Sequence, residues 1–345
     1  MTPSAPLRWG ILGTSRIAER VIPSMQKSPL ASIDAIGSRD PGRARAMADR
    51  LGIRRAHGSY DELIADPEID AIYNPLPNHL HVPWSIRAAK AGKHVLCEKP
   101  IALSADEAQQ LVIARDTHGV KIAEAFMVRA HPQWEVVRTL LASGRIGELR
   151  LVSGHFSYYR RDRADIRSRA ECGGGALMDI GCYPILIARW MFDAEPVEVV
   201  GLIEADPDLG IDRLTSALMR FEAGHATFTC AGQLVPYQRV ELFGTKGRIE
   251  VTIPFNAPDD RPAQLLVDDG SALGGRSAEI IEVAVADQYT RQAERFAEAV
   301  RGRGDLPMSL ENSVLNMRVI DALFRSAQYH AWERVASGAG SAAPR

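Results

Sequence analysis

The sequence predicts an α/β protein in two parts: a doubly wound parallel sheet over residues 1–127, then an α+β region over 128–345 with strands of antiparallel character. Three observations predict it. In the first third, short apolar runs alternate with helical patterns, the arrangement of a parallel sheet. After about Val128, strand-like segments follow one another across hairpin turns. The length, 345 residues, exceeds one ordinary domain.

The elements follow in order. Leu7–Leu12 is an apolar strand that turns at Gly13-Thr14-Ser15 into a helix from Arg16 to Gln26. Ser32–Gly37 is the second strand, and Arg43–Leu51 is a helix stopped by Gly52. Asp61–Ile64 is a short helix, Ala71–Asn74 a strand, and Val82–Ala91 a helix closed by Gly92. A buried strand, His94-Val95-Leu96-Cys97, runs into Glu98-Lys99-Pro100. Ala105–His118 is a helix ended by Gly119, and Lys121–Phe126 is a further strand. Beyond it come a helix at Gln133–Ser143 and a strand at Leu149–Tyr159. Further strands are Val197–Glu204, a hairpin of Leu214–Phe221 with Ala226–Ala231, a hairpin of Val240–Phe243 with Arg248–Ile253, and Glu279–Val285. Residues 256–275, rich in Pro, Asp and Gly, read as a long surface excursion. Helices at Gln288–Val300 and Leu310–Trp332 precede a small, polar tail at 337–345 that is expected to fray.

Composition excludes several classes. Hydrophobic content of 46%, charged content of 24% and a net charge of −2 are ordinary for a globular protein. Arginines scattered among acids argue against a nucleic-acid surface. No basic segment leads into an apolar stretch, and no apolar run approaches the ~20 residues of a membrane span, so a cytoplasmic protein without a membrane segment is expected. Cys97, Cys172, Cys182 and Cys230 share no metal-binding spacing and read as reduced structural thiols. His79 and His81 lack a nearby third ligand, so no metal is expected.

Four segments carry chemistry. Gly13-Thr14-Ser15-Arg16-Ile17-Ala18 follows a strand and opens a helix, the context of a dinucleotide fingerprint. Gly13 permits the tight turn, Ser15 replaces the middle glycine and offers a hydroxyl to a phosphate, and the helix N-terminus suits a pyrophosphate. At the end of strand two, where an acid usually holds the ribose of NAD, stand Ser38 and Arg39, with Arg43 a turn later; this set suits the 2′-phosphate of NADP. Asp40 could instead turn back toward a ribose. Asn74-Pro75-Leu76-Pro77-Asn78-His79-Leu80-His81 is a rigid loop at a strand end, suited to the nicotinamide-ribose side. In the second region, Gly173-Gly174-Gly175 precedes a helical run in which Asp179 and Tyr183, four apart, share a helical face. An acid and a phenol so placed suit binding and deprotonating a hydroxyl. Lys99 is one of six lysines against thirty-five arginines, and it falls just past the carboxyl end of a strand, where open α/β sheets bind ligands.

Together these segments resemble the Gfo/Idh/MocA family, collinearly over most of the chain and most specifically from Tyr73 to Pro100. The resemblance implies an N-terminal Rossmann domain and a C-terminal domain with a mostly antiparallel open sheet, whose exposed face forms a homodimer or homotetramer contact. It places Lys99 beside nicotinamide and substrate, and matches Asp179 to the family's aspartate. Tyr183, where many members carry histidine, is similar to the branch of glucose–fructose oxidoreductase, NADP-dependent xylose dehydrogenase and dimeric dihydrodiol dehydrogenase. There a tyrosine is thought to transfer the proton. The segment Glu124–Pro132 is similar to the same branch and makes Arg129 and His131 substrate contacts. The Gly13–Ala18 variant resembles the anhydrofructose reductases, which prefer NADP.

The implied activity is hydride transfer between NADP, or NAD, and a sugar or cyclic-polyol hydroxyl, as in oxidation of an aldose at C1 to a lactone. The catalytic set is Lys99, Tyr183 and Asp179. The cofactor set is Gly13, Thr14, Ser15, Arg16, Ile17, Ser38, Arg39, Arg43, Pro75, Leu76, Asn78, His81, Glu98 and Lys99. The substrate set adds Arg129, His131 and Arg160, with Phe156–Arg160 and Tyr237 shaping the choice of sugar. Other readings are a sugar–sugar oxidoreductase with tightly held NADP(H), an NAD-dependent glycoside hydrolase, and a non-catalytic redox-sensing binding protein.

Overall fold

A computed structural model describes residues 5–336 and divides the chain into two compact units. One comprises Met1–Ala130 with Asp287–Val314, the other His131–Ala286 with Leu315–Arg345. The two-segment division read from the sequence contains no such return of Asp287–Val314 to the first unit. The expected fraying of 337–345 lies outside the described residues.

In the first unit six strands pair in parallel: β1 (Leu7–Leu12), β2 (Ala31–Gly37), β3 (Arg55–His57), β4 (Ala71–Asn74), β5 (His94–Cys97) and β6 (Ile122–Glu124). Their order is β3-β2-β1-β4-β5-β6, so the winding reverses between β1 and β4, and a ligand crevice is expected at that point. Helices α1 (Arg16–Gln26), α2 (Pro41–Leu51), α3 (Tyr60–Ala65), α4 (His81–Lys90) and α5 (Ala105–His118) connect them. Local chemistry sets their ends. Pro41 opens α2 and Gly52, at φ +66°, closes it in the left-handed region. Ser104 caps α5 by accepting the Glu107 N–H at 3.2 Å, and Glu107 accepts the Leu103 N–H at 3.1 Å. The three-residue β3 is too short to show a period, and the sequence pattern does not predict it.

The return segment belongs to this unit because of its apolar face. Phe296, on the Gln288–Val300 helix, is fully buried with its ring 5.2 Å from that of Trp9. Burying a side chain of that size stabilises by about 2–3 kcal/mol.

The second unit opens with α6 (Pro132–Ala142) and β7 (Leu149–Tyr159). One turn of π-helix, Leu177–Gly181, runs into α7 (Cys182–Phe192). The strands β8 (Glu198–Ala205), β9 (Asp212–Arg220), β10 (His225–Ala231), β11 (Gln233–Gly244), β12 (Arg248–Val251), β13 (Ala263–Asp268), β14 (Glu279–Val283) and β15 (Glu333–Arg334) follow. With β7 they form one nine-stranded sheet ordered β14-β13-β12-β11-β7-β10-β9-β8-β15. Among the described residues every pairing in it is antiparallel except β7 with β10. Both expected hairpins form.

Two expectations need correction. Residues 256–275 are not all surface excursion, because β13 lies inside them. Ala263, Leu265 and Val267 are buried while Gln264 between them is exposed, a strand period that the flanking Pro, Asp and Gly residues hide. The last helix ends at Tyr329 rather than Trp332, with His330 at φ +53° and the chain then pairing with β8.

Glu124, at the end of β6, is a buried acid in the first unit. One carboxyl oxygen accepts the Ile101 N–H at 2.9 Å, and the other finds no hydrogen-bond partner among the described residues. Burial pushes this carboxyl up from 4.5 to about 8. The folded protein therefore keeps a proton that the unfolded chain releases near pH 4.5, and the associated stability is lost as pH rises toward 8. Between pH 5 and 8 the wild-type protein should lose on the order of 3 kcal/mol of stability relative to Glu124→Gln. Urea unfolding at the two pH values reads this difference, and parallel pH curves for the two proteins would refute it.

Candidate functional site

In the first unit, the strand ends carry the expected cofactor residues. Gly13 has φ +80°, and a Cβ there would lie 2.9 Å from Cδ2 of Leu76, so backbone angle and space both demand glycine. Its N–H donates to the Gly37 carbonyl at 2.7 Å, tying the β1 turn to the end of β2. Ser15 caps α1, its Oγ accepting the Ala18 N–H at 3.3 Å. Thr14 and Ile17 are half-buried and Arg16 is exposed.

At the end of β2, Ser38 is buried and its Oγ accepts the Asp40 N–H at 3.2 Å. The sequence leaves the direction of Asp40 open. In the structure its Oδ1 accepts the Arg43 N–H at 3.0 Å and so caps α2. Arg39 and Arg43 stay exposed on either side of it.

The loops after β4 and β5 are bound to each other. The Asn74 side chain donates to the His81 carbonyl and to Ser85 Oγ, both at 3.1 Å, and accepts the Leu76 N–H at 3.3 Å. Its carbonyl accepts the Glu98 N–H at 3.0 Å. The His81 ring is fully enclosed, Nδ1 lying 2.7 Å from the Pro100 carbonyl and Nε2 2.7 Å from that of Leu76. Burial pushes this imidazole down to about 4 against the pull of the two carbonyls. Pro75 and Leu76 are buried, and Asn78 is half-buried. Glu98 accepts the Tyr73 hydroxyl at 2.6 Å, and its other oxygen accepts the backbone N–H of Lys99 at 3.3 Å. Lys99 is half-buried and joins Pro100 through a cis peptide bond. The positions from Gly13 to Lys99 thus sit at the carboxyl ends of four adjoining strands.

Arg129 and His131 are held by the framework. Nε of Arg129 donates to the Pro307 carbonyl at 2.9 Å. His131 is buried and caps α6, its Nδ1 accepting the Gln133 N–H at 3.2 Å.

In the second unit, Asp179 lies in the π-turn rather than in an α-helix, so its four-residue spacing from Tyr183 is not an α-helical i,i+4 relation. Asp212 holds the start of this turn, accepting the Leu177 N–H at 2.6 Å and the Thr215 hydroxyl at 3.1 Å. The Asp179 carboxylate accepts the Tyr158 hydroxyl at 2.6 Å and Nε of Arg167 at 3.0 Å. The glycine run serves this arrangement. A Cβ on Gly174 would lie 2.5 Å from the Arg167 carbonyl, and the Gly175 N–H donates to that same carbonyl at 3.0 Å. The close approach foreseen for these glycines is therefore to the chain itself: to the segment at 167–169 at Gly174, and to the Asp212 carboxylate at Gly175, where a Cβ would overlap Oδ1.

Tyr183 is buried in the first turn of α7. Its ring centre lies 5.8 Å from that of Phe156 and 5.4 Å from that of Phe255, so an aromatic cluster fixes its plane. Arg160 pairs with Asp165. Tyr237 lies opposite Ser157 in the sheet register, so it projects from the face opposite to Phe156, contrary to the expectation that both shape one pocket. The sequence reading placed Tyr158 only within the Phe156–Arg160 stretch, not as a partner of Asp179, and missed Arg167 and Asp212. Only Tyr158 left a signal, its period-two relation to Phe156 along β7.

Comparison with known proteins adds the lineage. Residues 7–126 match the family described as "Oxidoreductase family, NAD-binding Rossmann fold", and residues 134–250 match "GFO/IDH/MocA C-terminal domain". A Rhizobium meliloti protein named uncharacterized oxidoreductase ORF334 is 50% identical over 95% of this chain and 99% of its own. D-xylose 1-dehydrogenase (NADP(+)) 2 of Haloferax volcanii is 39% identical over 93% of this chain and 98% of its own. The crystal structure of KijD10, a 3-ketoreductase of Actinomadura kijaniata in complex with NADP and TDP-benzene, superposes with a TM-score of 0.87 at 31% identity, covering 93% of this chain and 98% of that one. By these matches, in order along both units, the chain belongs to the Gfo/Idh/MocA family of oxidoreductases.

Proposed function

We propose that the protein is an NADP-dependent oxidoreductase acting on a hydroxyl of a sugar or cyclic polyol, with an aldose C1 hydroxyl as the leading substrate. The observation that carries the cofactor choice is the capping role of Asp40. An acid at this strand end would favour an unmodified ribose. Here that acid is engaged at the start of α2, and Arg39 and Arg43 flank it with Ser38 beside them. The residues fit NADP: the Gly13 turn and the N-terminus of α1 for the pyrophosphate, the two arginines for the 2′-phosphate, and Pro75, Leu76, Asn78 and Glu98 for the nicotinamide side. The NADP-linked xylose dehydrogenase among the relatives supports both cofactor and substrate class.

When bound, the nicotinamide supplies the acceptor for hydride. The protein's part is to bind the hydroxyl and remove its proton. Tyr183 takes that proton as the C–H bond breaks and the carbonyl forms. A free phenol has a pKa near 10, too high for an efficient base at neutral pH. A cation such as Lys99 carries the charge that favours a phenolate over a neutral phenol. Asp179 orients the sugar hydroxyls as an acceptor. Self-association through the nine-stranded sheet is part of the proposal, supported by Leu202 and Val235, 74% and 76% exposed on its strands.

Three outcomes are expected. Across a panel of aldoses, polyols and dihydrodiols, NADP reduction should be fastest with an aldose; hydrolysis of a nitrophenyl glycoside without net NADP reduction would overturn the assignment. Tyr183→Phe and Lys99→Met should each lower kcat by about a hundredfold or more while the Kd for NADP, read by fluorescence quenching, changes little. Near-normal turnover in either variant removes that residue from the mechanism. Arg39→Ala combined with Arg43→Ala should raise KM for NADP by about ten- to a hundredfold and leave KM for NAD nearly unchanged. Equal losses with both cofactors would show that the arginines do not read the 2′-phosphate.

A further inference from the structure

The segment between β7 and the π-turn contains charged groups that the mechanism above does not use. Arg160 pairs with Asp165, Asp165 with Arg167, and Arg167 with Asp179, while Tyr158 reaches Asp179 from β7. The last two contacts are hydrogen bonds of 3.0 Å from Arg167 Nε and 2.6 Å from the Tyr158 hydroxyl to the same oxygen, Oδ2. Asp165 also accepts the Arg167 backbone N–H at 3.0 Å, which fixes the base of that side chain. The Gly174 and Gly175 backbone holds the Arg167 carbonyl against the start of the π-turn. Arg167 is therefore anchored at its carbonyl, its N–H and its guanidinium.

We infer that Arg167 and Tyr158 are positioning residues for Asp179: by donating together to Oδ2 they fix the direction in which its carboxylate meets a substrate hydroxyl. This rests on the reading of Asp179 as the group that orients the substrate. The electrostatics agree in direction. The charge of Asp179 raises the pKa of Arg167, and burial, then Asp179, push the Tyr158 phenol well above its usual value, so both remain donors at neutral pH. Asp165 faces the same guanidinium from the other side, and the buried Cys230 thiol is also raised by burial and by nearby acids, Asp179 among them.

The test reads Asp179 directly. Aspartate labelled with 13C at Cγ is titrated by NMR in the full-length protein, with the Asp179 signal assigned by its loss in Asp179→Asn. Removing a cation in direct contact raises a carboxyl pKa by about one unit or more, so Arg167→Gln should shift the Asp179 titration upward by that amount. Tyr158→Phe should shift it in the same direction by less, and Arg167→Lys should restore much of the wild-type position. With the best aldose of the panel, Arg167→Gln and Tyr158→Phe should lower kcat/KM by about tenfold or more, with the acid limb of the pH profile following the NMR shift and NADP affinity unchanged. An Asp179 titration that does not move in folded Arg167→Gln and Tyr158→Phe proteins overturns the inference. So does a moved titration with an unmoved pH profile while Asp179→Asn is inactive. If Asp179→Asn itself turns over normally, the reading of Asp179 as a substrate group fails instead.

Discussion

Backbone groups that leave a sheet must be satisfied elsewhere, and at the carboxyl ends of β4, β5 and β6 they leave into the protein interior rather than into water. An unsatisfied buried donor or acceptor costs more than a made bond contributes. Asn74 meets that demand in three directions at once, and the His81 ring spans the carbonyls of Leu76 and Pro100. Glu98 then receives the Tyr73 hydroxyl and the Lys99 N–H. The placement of Lys99 is thus a by-product of keeping strand ends satisfied. His81 and Glu98 read as cofactor ligands in the sequence, yet both also hold the framework, as Asn74 does.

The second unit solves the same problem with an acid and a set of glycines. Asp212 caps the π-turn, and Gly174 and Gly175 let the segment at 167–169 lie against that turn's entry. A π-turn widens the helix and presents Asp179 differently from an α-helical residue. Tyr183, one step later on α7, packs its ring against those of Phe156 and Phe255.

What was legible in the sequence follows from the range of the interactions involved. The β–α alternation, the glycine stops at Gly52 and Gly119, and the turn at Gly13 are local events written in adjacent residues, and the structure carries them. Strand β13 was hidden because six alternating residues sit between flanks typical of loops. The direction of Asp40 was ambiguous because capping and ribose binding ask for the same residue type in the same place. The partners of Asp179 were invisible because Arg167 and Tyr158 lie 12 and 21 residues away, beyond any helix or strand period. The glycine run announced a close approach without saying to what.

Among the described residues, the pairing of β7 with β10 is the one parallel contact in an otherwise antiparallel sheet. A parallel neighbour cannot be reached by a hairpin, so the chain makes a long detour before the two strands meet; Ser153 and Thr227, which bond across the pair, are 74 residues apart. The whole detour contains Arg167, the glycine run, the π-turn and Tyr183. Closing so long a loop is entropically expensive, and non-local contacts of this kind form slowly. The segment carrying Asp179 and Tyr183 therefore lies inside a loop closed by strands that pair far from it in the chain.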